Sequence, residues 1–329
     1  MELKQKKIMI LALPLILALF ILLWVNRPVN LGKELIVHVK PGWSFHKLAD
    51  KLAEENMIHS RSFLVLISKI SGGSKRLKTG VYKISDRLSI MDMIQVFTQG
   101  QIANRVFTIP EGYNMFQIAS LLEEKTIMSS DTFLRLCHDK EILKKYNIKA
   151  TSAEGFLFPD TYYVPYDIKP AEILSVILSN FFDRVDKRFL FRMKEKGYTL
   201  EKAITLASLV EWEAQMDFER PIIASVFINR LKKNLNLASC ATVQYALGGH
   251  KERLLFRDLK KDSPYNTYIY KGLPPTPIAN PGIKSILAVL YPAKVDYLYF
   301  VSMKNKRHYF STTYREHLRA YKQYILDVN

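Results

Sequence analysis

The sequence predicts an α+β protein in three parts: one N-terminal membrane-spanning helix, a small α/β region, and a larger mixed α+β domain. Three observations predict this. An uncharged run of 18 residues lies near the start of the chain, and a strand-helix-helix pattern occurs twice, shifted by 70 residues. Beyond residue 150, apolar helical patterns give way to a Pro/Gly-dense tract and two late strands.

The uncharged run is "IMILALPLILALFILLWV", residues 8–25. At about 1.5 Å per residue it reaches about 27 Å, near the thickness of a membrane's hydrocarbon layer. A buried core helix of that length keeps a polar stripe, and this run has none. Lys4, Lys6 and Lys7 precede it, which puts residues 1–7 in the cytoplasm as a short tail and the chain from about residue 30 on the far side. The following "NRPVNLGKE" has no A-x-A-like cleavage site, so the segment reads as a retained anchor with Trp24 at the interface.

Export limits the choice of partner. The chain carries 48 Lys and Arg against 31 Asp and Glu, a formal charge of +17. Such a balance calls for an acidic partner, but outside the cytoplasm nucleic acid is excluded, leaving anionic phospholipid or an anionic wall polymer. A solvated surface is the plainer reading of scattered Lys and Arg. Cys137 and Cys240 stand far apart, the seven histidines show no ligand spacing, and no Gly-rich phosphate loop follows a strand. No metal, nucleotide or other cofactor is expected.

The duplicated stretches are "VHVKPGWSFHKLADKLAEENMIHSRSFLVL" and "FTIPEGYNMFQIASLLEEKTIMSSDTFLRL". Gly42 matches Gly112, Ala49 Ala119, Leu52 Leu122, Glu54 Glu124, Ser60 Ser130, and Phe63-Leu64 Phe133-Leu134. Each copy begins with a β-rich run and turns at its glycine. A helix follows, with Leu48, Leu52 and Asn56 or Ile118, Leu122 and Thr126 at helical spacing, and Ser60 or Ser130 then caps a second helix. Between the copies, "GVYKIS" reads as a strand and "SIMDMIQVFTQG" as a helix ended by Gly100. The glycine turn before an amphipathic helix resembles LysM-type domains, so residues 34–103 read equally as a duplicated folding unit or as a glycan-binding module.

The larger domain spans residues 104–329 and begins with the second copy. Apolar helical patterns run from about Ala171 to Lys196, from Leu200 to Gln215 after a Thr199 cap, and from about Arg220 to Lys233. "SPYNTY" and "GLPPTPIANPG" form an ordered loop tract suited to the wall of a groove. The strands "YLYFVSM" and "HYFSTT" and a last helix close the chain.

In "SLVEWEAQ", Glu211 and Glu213 lie about 200° apart on a helix and cannot face the same cleft. Glu211 shares a face with Ile204, Ala207 and Ser208, Glu213 with the bulkier Leu206, Leu209 and Val210. Pairing with Arg220 and Arg230 is the commoner fate of such carboxylates, and periodicity leaves the choice open. A glutamate buried against apolar side chains would stay protonated and could act as a general acid, worth about a hundred- to ten-thousand-fold in rate.

"EGFLFPDTY" (154–162), "ASLVEWEAQ" (207–215), "IIASVFINRL" (222–231), "SPYNTY" (263–268), "GLPPTPIANPG" (272–282) and "YLYFVSM" before "HYFSTTYREH" resemble the successive motifs of the MltG/YceG-like endolytic murein transglycosylases. The resemblance covers nearly the whole chain. It implies a lyase that cuts nascent peptidoglycan strands between N-acetylmuramic acid and N-acetylglucosamine, leaves 1,6-anhydro ends and terminates strand elongation. It also implies a single-pass protein of the bacterial cytoplasmic (inner) membrane, with its catalytic domain outside the cytoplasm and peptidoglycan synthases as partners. The family's catalytic glutamate, the first carboxylate of Val-Glu-x-Glu, falls on Glu211. One carboxylate suffices where the sugar's own C6 hydroxyl attacks C1, because an intramolecular nucleophile needs no residue to activate water.

Glu154, Asp160, Tyr162, Thr242, Tyr245, Tyr265, Asn266, Tyr268 and Asn280 are the candidate substrate-binding residues, although Glu154 and Asp160 could equally cap turns and Asn280 reads first as a turn residue. Pro274, Pro275 and Pro277 fix backbone. Four positions depart from the family pattern: Cys240-Ala241 where Asp-Pro is usual, Thr276 in place of glycine, and Trp212 in place of a polar residue. The rival reading is a non-catalytic, glycan-binding scaffold of the wall-synthesis machinery.

Overall fold

The computed structural model describes residues 13, 14, 16, 17, 20–29, 34–84, 87–100, 103–249, 251, 254–303 and 305–326. The cytoplasmic tail and much of the expected anchor lie outside them. Among the described residues no helix is long and apolar enough to cross a membrane. Residues 20–26 are helical, with Phe20, Ile21, Leu22 and Leu23 exposed. Two compact units emerge: residues up to Arg105 with Tyr163–Ile168, and Val106–Tyr162 with Lys169–Asn329.

The first unit contains β1 (Leu35–Val39), α1 (Phe45–Glu54), α2 (Arg61–Ile70), β2 (Gly80–Ile84) and α3 (Ile90–Gln99). β1 and β2 pair antiparallel, Leu35 opposite Ile84 and Val39 opposite Gly80. Val37, Leu48, Leu52, Leu64, Tyr82, Ile84 and Phe97 form its core, each full burial worth about 1.5–3 kcal/mol. Ser60 Oγ accepts the Phe63 N–H at the start of α2, and Ser89 and Asp92 form a capping box on α3, which Gly100 ends with φ 76°.

The second copy of the repeat supplies β3 (Asn104–Thr108), α4 (Met115–Glu124), α5 (Ser130–Cys137), α6 (Lys140–Lys145) and β4 (Thr161–Pro165), with β3 paired to β4. The duplication is visible at atomic level. Asn56 and Thr126 adopt φ 55° and 53°, and the next N–H turns back at each site, Met57 to Leu52 O (2.8 Å) and Ile127 to Leu122 O (2.9 Å). These two residues therefore stop their helices in the left-handed region instead of extending the apolar stripe. A second difference lies at α5, whose cap is Ser129. Ser130 gives its N–H and hydroxyl to Glu123 and becomes the first helical residue.

The rest of this unit holds α7 (Pro170–Arg184), α8 (Lys187–Glu195), α9 (Leu200–Glu213), α10 (Arg220–Lys232), α11 (Cys240–Ala246), α12 (Ile283–Leu290), β5 (Tyr299–Ser302), β6 (His308–Ser311) and α13 (Tyr314–Tyr321). The single helix expected from 171 to 196 breaks because Val185 leaves helical geometry and Asp186 caps a new start by accepting the Arg188 N–H. Thr199 caps α9 as expected, and α9 ends at Glu213, with Ala214 extended. Thr242 and Tyr245 sit on the short helix α11.

α9 is the axis of the unit. Every residue from Ala203 to Val210 is buried, and α10, α11 and α12 pack around it. The Pro/Gly tract closes another side: Ser208 Oγ accepts the Ile278 N–H at 3.1 Å. Gly155, at φ 89°, lies so close beneath Pro277 and Ile204 that any Cβ would collide with both.

Candidate active site

Three consecutive residues at the C-terminal end of α9 point in three directions, as about 100° per residue requires. Glu211 enters a polar lattice. Its Oε1 accepts Arg220 Nη1 at 2.9 Å and its Oε2 the Gly282 N–H at 2.9 Å, with side-chain exposures of 5% for Glu211 and 9% for Arg220. Arg220 also holds Asp217 (3.1 Å) and Ser285 Oγ, tying the end of α9 to the starts of α10 and α12. Each oxygen of Glu211 thus accepts one donor, in polar surroundings rather than against the apolar side chains considered from sequence.

Glu111 reaches over the same spot. Its carboxyl lies against Gly282 where a Cβ would stand, and burial, then the charge of Glu211, push it above the usual carboxylate range, while Arg220 and Lys284 oppose. Nothing in its own stretch marked Glu111 beforehand. The only signal was that it replaces Pro41 of the first copy.

Glu213 faces a different space, a cleft of about 540 Å³ lined also by Arg230, Cys240, Tyr268, Tyr299, His308 and His317. Ser239 Oγ donates to its Oε1 at 2.5 Å. Its Oε2 has no partner among the described residues. Burial pushes the carboxyl up, and the Ser239 hydrogen bond and the charges of His308 and Arg230 only partly offset this. His308 is fixed by Glu219, which accepts its backbone N–H (2.9 Å) and contacts Nδ1 (2.8 Å), both residues being buried. Arg230 stacks over Tyr299 at 5.0 Å and donates to Leu237 O and Leu298 O. Desolvation also pushes the Cys240 thiol up, so no second negative charge stands beside Glu213 at this position.

Most other candidates are structural in their contacts. Glu154 is fully buried and accepts the Met115 N–H (3.0 and 3.1 Å), Tyr245 OH (3.1 Å) and Asn280 Nδ2 (3.0 Å). Asn280, also fully buried, bonds Leu157 N and Tyr113 O, and its backbone pairs with Gly112 and Tyr113. Thr242 bonds Ser239 O and Thr267, and Asn266 bonds Leu259 O and Lys261 O; both are at zero exposure. Asp160 holds Asn180 and Arg184, and Tyr162 donates to Phe158 O and stacks on Phe107. Tyr265 bonds Thr276 at 2.7 Å. Of the nine, Tyr268 lines the Glu213 cleft, and Tyr245 lines a separate recess beside Trp212.

Burial raises Glu154 from 4.5 to about 7, against the pull of the Met115 N–H, Tyr245, Asn280 and the Gly155 N–H. The folded state therefore binds this proton more tightly than the unfolded chain. The Glu154 contribution to stability is greatest below about pH 4.5 and declines as pH rises to about 7, by roughly 3 kcal/mol. Urea unfolding of the protein and its Glu154→Gln variant at pH 5 and pH 8 tests this: the gap between them should shrink at the higher pH. An equal gap at both would contradict it.

A family model described as the YceG-like family matches residues 37–323. An endolytic murein transglycosylase of Bacillus subtilis (strain 168) is 34% identical over 310 residues, covering 89% of this chain and 85% of that protein. The endolytic murein transglycosylase of Streptococcus pneumoniae (strain D39) is 26% identical over 331 residues, 90% of this chain; the match spans 59% of the longer pneumococcal protein. The crystal structure of a YceG-like protein from Listeria monocytogenes superposes with a TM-score of 0.62 at 31% identity, over 88% of this chain and 99% of that one.

Proposed function

We infer, from the premise that this chain belongs to the YceG-like family, that it is an endolytic murein transglycosylase, a lyase that cuts peptidoglycan glycan strands, and, from the geometry of the site rather than from the family pattern, that Glu213 is its acid. One observation carries the choice of residue: Glu213 combines an upward-shifted carboxyl, an oxygen with no partner among the described residues and an open cleft. The family resemblance implies Glu211 as the acid instead; there Arg220 and Gly282 each engage one carboxylate oxygen.

In the proposed cycle, Glu213 protonates the oxygen leaving C1 of the muramic acid residue. The C6 hydroxyl of that residue then attacks C1, closing the 1,6-anhydro ring, and its proton passes to the Glu213 carboxylate, which restores the acid. No water is consumed and no second carboxylate is required. Ser239 keeps Oε1 fixed so that Oε2 can meet the glycosidic oxygen, while Arg230 and His308 stabilise the carboxylate formed midway. Aromatic rings at Tyr268 and Tyr299 suit sugar faces.

The apolar N-terminal run and the first unit are consistent with this chemistry. The apolar run at 8–25 would hold the enzyme to the outer face of the cytoplasmic membrane, near nascent strands and the synthases that extend them. Cuts there would end strand elongation. The β-α-α-β order of the first unit supports a LysM-like, glycan-holding role. Digestion of purified sacculi with mass analysis of the products tests the reaction. Fragments ending in anhydro-muramic acid are expected; fragments heavier by one water would mean a hydrolase, and no release would favour a scaffold.

A further inference from the structure

A second recess lies on the other flank of the α9 terminus. It measures about 190 Å³, is lined by Asn114, Phe116, Gln117, Ser120, Trp212, Gln244, Tyr245, Gly248 and Gly249, and shares no lining residue with the Glu213 cleft. We propose that this recess is a glycan subsite that takes one neutral N-acetylhexosamine ring against Trp212 and Phe116. The proposal rests on the transglycosylase reading only for the identity of the sugar.

Four features of the recess select that ligand. No lining residue is charged, which disfavours carboxylates such as a lactyl group or a peptide terminus and favours a neutral ring. The volume falls below the roughly 300–1,000 Å³ of pockets for drug-sized molecules and suits a single ring. Phe116 is 44% exposed and leans on Tyr245 with centroids 6.3 Å apart, giving flat apolar surface for the C–H face of a pyranose. Asn114 and Gln117 use their side-chain oxygens on each other's backbone N–H in a capping box, at 2.9 Å each. Their amide nitrogens donate to no described residue and are available to hydroxyl or acetamido oxygens.

The platform is also rigid before any ligand arrives. Trp212 Nε1 donates to Gly112 O at 3.0 Å and Tyr245 OH to Glu154 at 3.1 Å, so little conformational freedom is lost on binding. Trp212 stands between Glu211 and Glu213 in sequence, so a sugar seated on it lies beside the cleft where a strand would be cut. A longer hold on the strand favours internal cleavage over end trimming.

Titration of the full chain with tetra-N-acetylchitotetraose tests the subsite without any cleavage, since that oligosaccharide lacks muramic acid. A saturable change in tryptophan fluorescence is expected, lost in Trp212→Phe although Trp24 and Trp43 remain. Calorimetry should show affinity lowered about tenfold in Phe116→Ala, whose side chain is too exposed to govern folding, and at least as much in Trp212→Leu. Absence of saturable binding, or unchanged affinity in both Phe116→Ala and Trp212→Leu, overturns the proposal. If the protein instead binds this ligand through Trp212 yet releases nothing from sacculi, the reaction assignment fails and the subsite stands.

Discussion

Glu213→Gln should lower release of glycan fragments from sacculi by a factor of about a hundred to ten thousand, while Glu211→Gln should keep it within about tenfold of the unmodified protein. The first substitution keeps the shape of the side chain, and its carbonyl oxygen can still accept from Ser239. Only the transferable proton is lost. A collapse of activity for this variant with native thermal unfolding therefore isolates the chemistry. Glu211→Gln removes a charge that faces Arg220 and Gly282, neither of which borders the cleft, so its effect should fall on stability. The opposite pattern, activity lost at 211 and retained at 213, would return the acid to the first carboxylate.

Arg220→Met should destabilise the larger unit by about 3–5 kcal/mol, because it leaves the Glu211 carboxylate buried with the Gly282 N–H as its one remaining donor. Removing both partners, Arg220→Met with Glu211→Leu, should recover part of the stability, as apolar replacement of a buried pair often does. Urea unfolding of the four proteins gives the coupling directly. A cost below about 1 kcal/mol for Arg220→Met would show that the pair does not hold these helices together.

Local signals in the chain predicted much of the fold. The capping serine at 60, the left-handed Gly100 and the Thr199 start of α9 each follow from chemistry within one turn. The repeat was readable because copies share packing positions such as Leu52 and Leu122. The break at Val185 was not, since Phe181, Phe182 and Leu190 keep a helical pattern across it, nor were α11 and α12, hidden among loop-forming residues. For the site, periodicity established that the two glutamates face apart but could not say what each faces. That depends on Gly282 and Ser239, which only the fold brings in. Arg220 could be named as a partner from sequence, whereas the pairing of Glu219 with His308 spans 89 positions and leaves no local trace. Residues with chemistry suited to sugars, Asn266 and Asn280 among them, spend their amides on backbone groups and, for Asn280, on the Glu154 carboxyl as well, a use that composition does not distinguish from binding.

On the proposed reading, the helix that ends at Glu213 gives scaffold, recess and chemistry to three successive side chains, and Ala203 to Val210 behind them are all buried. Replacing any one of the three is a local event. Inserting or deleting a single amino acid anywhere in that helix would instead turn the whole terminus by about 100° and exchange the duties of all three at once. Length variation among functional homologues should therefore be confined to the surrounding loops, with this segment evolving by point substitution alone.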